Sequence, residues 1–260
     1  LDCVQQFSVS DRQLFNLHLS PNGDLLVTGG YGRKIHVMDT QTGHEVLRID
    51  DFKQGVEDLV VDDTFSRVFA VGNGNDVRWY SLVNGAMLGS LRCDGRAIGL
   101  ALAPDQIHLI IATYDGYIES WNIETSKREL RFEAHRNVIT SLAISPGNRL
   151  LATGGDDGAI KLWDLSSGDN LANILARQGE VPYLAFEPSG HILQATFRGG
   201  FAGIYDLLYG NMLIAGNSEF HIQRLGPSAS TPDNIASVRA WSQAILKMTR
   251  RYFTPADKGN

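Results

Sequence analysis

Three residues near the middle of the chain have the types of a hydrolytic set: His135 as base, Thr153 as nucleophile and Asp157 as acid. Such chemistry needs a hydroxyl free to attack and donors aimed at a developing oxyanion. The chain supplies neither. Thr153 lies in the strand-like run Leu150 to Gly154, ten residues before Trp163, whose indole N–H needs an acceptor. Two glycine-rich stretches, Gly29 to Lys34 and Gly72 to Asn75, have the look of phosphate loops, but a phosphate loop leads into a helix and these lie between strands. The other histidines (18, 36, 44, 108, 191 and 221) form no metal-ligand spacing, and Cys3 and Cys93 make neither a metal pair nor a disulfide framework. The expectation is a chain with no cofactor, no metal, no small-molecule ligand and no catalytic activity.

The elements that hold these residues are short strands. Leu150 to Gly154 and Ile160 to Leu165 flank a turn at Asp156 to Gly158, with Val138 to Ile144 before and Asn170 to Leu175 after. One such unit cannot bury its own face, so copies are needed. Stepping from Trp163 by 41 or 42 residues reaches Trp121, Tyr80 and Met38 backwards and Tyr205 forwards. Pro21, Asp63, Pro104, Pro146 and Pro188 keep the same step.

With Trp163-Asp164 as its dipeptide, the unit resembles a WD40 repeat, and His135, Thr153, Asp157 and Trp163 match that family's structural relay. The resemblance implies that Asp157 ties its turn to the imidazole of His135, that the imidazole bonds the Thr153 hydroxyl, and that this hydroxyl accepts from Trp163, each bond contributing about 0.5–1.5 kcal/mol net. The resemblance covers about Leu14 to Ala215 in five recognisable repeats. It implies an all-β fold, a β-propeller of four-stranded blades. The repeats run Leu14–Ile49, Val56–Leu91, Ala97–Phe132, Val138–Leu175 and Val181 to about Ala215. They are uneven. The turn aspartate is kept at Asp115 and Asp157 but is Gly32, Gly74 and Gly199 elsewhere. The hydroxyl is kept at Thr28 and Thr153 but replaced by Ala70, Ile111 and Ala195. Only the fourth repeat keeps the whole relay, so the others are expected to rely on packing. Cys3 to Val9 reads as a fourth strand. It could complete the last blade of a five-bladed ring, or end a blade whose remainder lies upstream in a larger ring.

Residues 1–225 are therefore read as the propeller, 226–232 as a linker and 233–260 as a C-terminal helix and tail. Thr231-Pro232-Asp233 is a helix start, and Ile235, Val238, Trp241, Ile245, Met248 and Tyr252 form one apolar stripe. That amphipathic helix either packs on the propeller's own side or docks onto a partner.

In the WD40 arrangement that the resemblance implies, the loops before each first strand and the turns between second and third strands share one face. They carry Tyr31, Arg33, Phe52, Lys53, Arg96, Tyr114, Arg136, Arg177 and Arg198, a candidate seat for an acidic or phosphate-bearing partner. Asp51, Asp76, Asp94, Asp156 and Glu180 fall in the same loops. The formal net charge of −6 argues against a free-standing nucleic-acid binder. There is no apolar run of membrane-spanning length. The leading expectation is a non-catalytic protein–protein interaction scaffold in a larger multiprotein assembly, intracellular, in cytoplasm or nucleus. The alternative is a subunit of an RNA-processing complex that touches phosphate through a basic loop face. An enzyme using the propeller channel is the weakest reading.

Overall fold

The computed structural model describes residues 9, 13–175, 179–198, 201–207, 211–214 and 221–222. Among them all regular structure is β. The chain divides into two compact units, residues 1–136 and 137–260.

The first unit begins with a four-stranded antiparallel meander, β1 (Leu14–Leu19), β2 (Leu25–Gly30), β3 (Ile35–Asp39) and β4 (Glu45–Ile49). Next come β5 (Val56–Val61), β6 (Arg67–Gly72), β7 (Gly74–Ser81), β8 (Met87–Leu102), β9 (His108–Thr113), β10 (Tyr117–Asn122) and β11 (Lys127–Glu133). These seven strands form one sheet because β8, 16 residues long, closes the second repeat against β7 and opens the third against β9. The sequence suggests a break between Leu91 and Ala97. Instead the ladder runs on, with Asp76 opposite Arg92 and Gly74 opposite Ala97.

The second unit holds β12 (Ile139–Ile144), β13 (Leu150–Gly155), β14 (Ala159–Asp164) and β15 (Asn170–Leu175), with β20 (His221–Ile222) added along the edge of β15. It also holds the meander β16 (Tyr183–Phe186), β17 (Ile192–Phe197), β18 (Phe201–Asp206) and β19 (Asn211–Ile214).

The five repeats are superposable in register. Met38, Tyr80, Trp121, Trp163 and Tyr205 stand opposite Leu26, Val68, Leu109, Leu151 and Leu193. In every repeat the pairing of third and fourth strands shifts immediately before that residue. Such a bulge re-aims a side chain, here the large one that the period marks. The next residue caps the following turn. Asp39 Oδ1 accepts from the Gln41 and Thr42 amides, and Asp164 Oδ1 from those of Ser166 and Ser167. Gly43, Gly85 and Gly168 then adopt positive φ and return a 2.8 Å bond to the strand end.

Within each unit, the first strand of one repeat packs on the preceding repeat. Val27, Ile35 and Val37 bury Val56 and Leu59, while Ala152, Ile160 and Leu162 bury Val181 and Leu184. Full burial of such side chains is worth about 1.5–3 kcal/mol each. Polar bonds join the same strands. Asn16 Nδ2 donates to Glu57 O at 3.0 Å, and the Leu100 amide donates to Asp58 Oδ2 at 2.7 Å. In the second unit Thr140 Oγ1 donates to Val181 O at 2.8 Å. The expected Cys3 to Val9 strand, the linker and the C-terminal helix with Ile235, Val238, Trp241, Ile245, Met248 and Tyr252 lie outside the described residues, apart from Val9 itself.

Candidate interaction surface

The hydrolytic reading meets an occupied hydroxyl. Trp163 Nε1 donates to Thr153 Oγ1 at 2.9 Å, and both residues are buried. Asp157 Oδ1 accepts from the Ala159 amide at 2.9 Å, which shapes the turn. His135 is buried at the end of the first unit, its amide bonded to Gly116 O.

The other repeats do not rely on packing alone, and this corrects the expectation. Thr28 Oγ1 donates to Asn16 O at 2.6 Å, and Tyr80 Oη donates to Asp51 Oδ2 at 2.8 Å. Trp121 Nε1 donates to Glu119 Oε2 at 2.8 Å. Glu119 is wholly buried, and its other oxygen meets the Asp94 amide, Arg128 Nη1 and Arg131 Nε at 3.2, 3.5 and 3.6 Å. Burial, and then the adjacent Glu119, push the Cys93 thiol far up its titration range. Asp62 plays an equivalent part in the second repeat's turn. Burial raises its pKa, but the amides and side chains of Arg67 and Ser66 outweigh that and hold it at about 2. Asp58 is pushed the other way, to about 7. Protein crowds its carboxyl although the residue keeps some accessible surface, and the amides of Leu100 and Leu59 only partly offset the desolvation.

The loop end of the first unit gathers several of the expected surface residues. Tyr31 is exposed, edge-on to Phe15 with ring centroids 4.6 Å apart. Phe52 and Lys53 line a cleft of about 210 Å³ with Gln54, Gly72, Asp76 and Arg78. Arg96 stacks over exposed Tyr114 at 5.1 Å and pairs with Glu57 at 2.5 Å. In the second unit Arg198 pairs with Glu180 at 2.6 Å. Arg136 is exposed, and Arg177 lies outside the described residues. Arg96 and Arg198 therefore have a carboxylate at hand. Arg33, Lys53 and Arg136 do not: the Arg33 guanidinium reaches the Lys53 carbonyl at 3.4 Å, and no described carboxylate lies within ion-pair distance of the three charges.

The profile of the family described as WD domain, G-beta repeat, matches residues 1–39 and 126–164. Both matches end on the third-strand aspartate, after Met38 and after Trp163. The chain carries WD40 repeats. It is also similar to Periodic tryptophan protein 2 homolog of Neurospora crassa, 23% identical over 135 residues. That alignment covers 51% of this chain and 15% of the relative's length.

The expected Trp163–Thr153 bond is present, and the sequence reading missed Glu119. The signal was available. Glu119 stands two residues before Trp121, hence on the same strand face, and Arg128 and Arg131 lie on the next strand. Among the described residues, no group of three or more His, Cys, Asp or Glu could hold a metal, and no helix is long and apolar enough to cross a membrane.

Proposed function

We propose that this WD40 chain is a non-catalytic interaction scaffold that works inside a larger multiprotein assembly. One observation carries the reading. Leu17, Leu59, Leu100, Leu142 and Leu184 hold the same register position on the first strand of the five repeats. Leu59, Leu100 and Leu184 are 2%, 8% and 4% exposed and Leu142 is half-buried, whereas Leu17 is 64% exposed. Leu19 and Phe15 are exposed beside it. The Asn16 and His18 side chains of the same strand bond the next repeat through Glu57 O and Leu59 O. The leucine face of β1 thus keeps the chemistry of a blade-to-blade contact. Contiguous exposed apolar surface of this kind marks an interaction site. An intracellular setting, cytoplasm or nucleus, belongs to the same proposal, supported by the free thiol of buried Cys93.

The test compares the tagged full chain with its Leu17→Glu variant in its own cells. The parent should migrate in a complex much heavier than the 28.5 kDa chain. The variant should return to monomer mass at an unchanged melting temperature. Equal masses for the two would defeat the reading.

A further inference from the structure

The loop end of the first two repeats has an uneven charge balance. Lys34 is paired with Asp50 at 3.3 Å. Arg78 is held by Asp51, through its carbonyl at 2.8 Å and its carboxylate at 3.3 Å, and lies 4.0 Å from Asp76. Arg96 is paired with Glu57. Asp50, Asp51 and Glu57 are thereby engaged by other cations, Asp76 lies between Arg78 and Arg92, and Arg33 and Lys53 are left as two exposed cations, with the Arg33 guanidinium 3.4 Å from the Lys53 carbonyl.

These cations border a bare floor. A Cβ on Gly55 would come within 3.3 Å of Tyr31 Cα, and one on Gly72 within 3.2 Å of Gly55 O and 3.3 Å of the Phe52 ring. Both glycines let backbone, Tyr31 and Phe52 come together without a side chain filling the space. Gly74, at the far side of the cleft, has nothing within 4 Å of its Cβ position. The result is a cleft with Phe52 as its aromatic wall and Lys53, Arg78 and Asp76 as its charged lining, bordered by exposed Tyr31 and by Arg33, which reaches the Lys53 carbonyl.

We propose that this cleft is the seat of an extended acidic peptide segment from a protein partner. A carboxylate of the segment lies between Lys53 and Arg33, and an adjacent apolar side chain rests on Phe52 and Tyr31. Charge complementarity selects the carboxylate, and the aromatic wall supplies the apolar contact. A volume of about 210 Å³ suits one side chain at a time, which fits an extended strand and not a helix face. The inference deepens the scaffold reading and rests on it, but uses a different surface from Leu17.

The experiment uses the purified full chain and three fluorescein-labelled nonapeptides: Glu-Leu-Gly repeated three times, and its Gln and Lys counterparts. A labelled nine-nucleotide oligouridylate is the fourth probe. Fluorescence anisotropy gives the affinities. The Glu peptide should bind at least about ten-fold more tightly than the Gln peptide, and the Lys peptide more weakly than either. Binding should weaken as salt rises from about 50 to 300 mM. Lys53→Glu combined with Arg33→Gly should lose at least about ten-fold. Arg33 has φ +61°, so glycine there removes the charge without straining the turn. An unchanged melting temperature would show that the double variant is folded. Equal affinity for the Glu and Gln peptides, no binding of the Glu peptide, or no loss in the double variant would overturn the proposal. So would oligouridylate binding more tightly than the Glu peptide, with the same dependence on Lys53 and Arg33. Leu17→Glu should leave peptide binding unchanged, so failure of the peptide seat and failure of the β1 face are separately visible.

Discussion

The third and fourth repeats place an indole at one register position and satisfy it in different ways. In the fourth, Trp163 donates across to the second-strand hydroxyl of Thr153, a neutral bond within the sheet. In the third, Trp121 donates to a carboxylate on its own strand, and Glu119 then draws in two arginines of β11 and the Asp94 amide. Fold therefore fixes where a buried donor lies and leaves its acceptor open. A hydroxyl satisfies one donor at little desolvation cost. A carboxylate is worth keeping only when several donors surround it, because an ionised group in the interior is expensive.

The largest test of that contrast is Glu119→Ala. It leaves the indole and the Asp94 amide without their acceptor and takes from Arg128 and Arg131 the buried one of their carboxylates, and should destabilise the first unit by about 3 kcal/mol in urea unfolding. Glu119→Gln should cost about half as much, because one acceptor remains. If Glu119→Ala costs under about 1 kcal/mol, the cluster is ornamental.

Acid should separate the two units next. Asp62 Oδ1 accepts the amides of Ser66 and Arg67, and in the fourth repeat Ser145 Oγ accepts those of Arg149 and Leu150 at the same register. The folded Asp62 carboxyl has its pKa depressed to about 2. Its contribution is therefore complete above the unfolded pKa near 4 and is lost as pH falls through about 2. About 1–2 kcal/mol should go in that window from the first unit. Ser145 does not titrate, so hydrogen exchange resolved by peptide should show the Arg67–Gly72 strand losing protection in acid before Leu150–Gly155 does. Asp62→Asn should abolish the difference.

Thr153→Val should cost about 1.5 kcal/mol, the penalty of an orphaned indole N–H, and Trp163→Phe in the same background should add less than it does alone. Strict additivity would mean that the 2.9 Å bond has no energetic weight. The smallest effect belongs to Arg131→Met. Its guanidinium lies 3.7 Å from the Tyr117 ring centroid, on a side chain 30% exposed, and its loss should cost roughly 0.5–1 kcal/mol.

The repeat length and the five register-matched large residues were readable from spacing, because the bulge before each of those residues recurs without exception. The Glu119 cluster was readable only in part: its place two residues before Trp121 puts it on the same strand face, but which arginines of the next strand reach it depends on the register. The continuity of β8 was hidden by Arg92, Asp94, Gly95 and Arg96, which read as a polar loop. In the structure Arg92 pairs with Asp76, and the Asp94 carboxylate holds Arg128 at 2.6 Å. Polar residues that look like a break are here the cross-strand partners that keep the ladder going. The charge balance at Arg33 and Lys53 was also beyond sequence, since it depends on which of several nearby acids each cation reaches.

The unbroken β8 strand has a chemical consequence. Cys93 sits in the stretch that two repeats share, buried, with its thiolate disfavoured by its surroundings. A maleimide or iodoacetamide can modify it only when that seam parts. Its alkylation rate, followed by mass spectrometry of the Cys93 peptide, is then a built-in clock for local opening at the join. The clock should run slowly in the parent protein and much faster in Glu119→Ala.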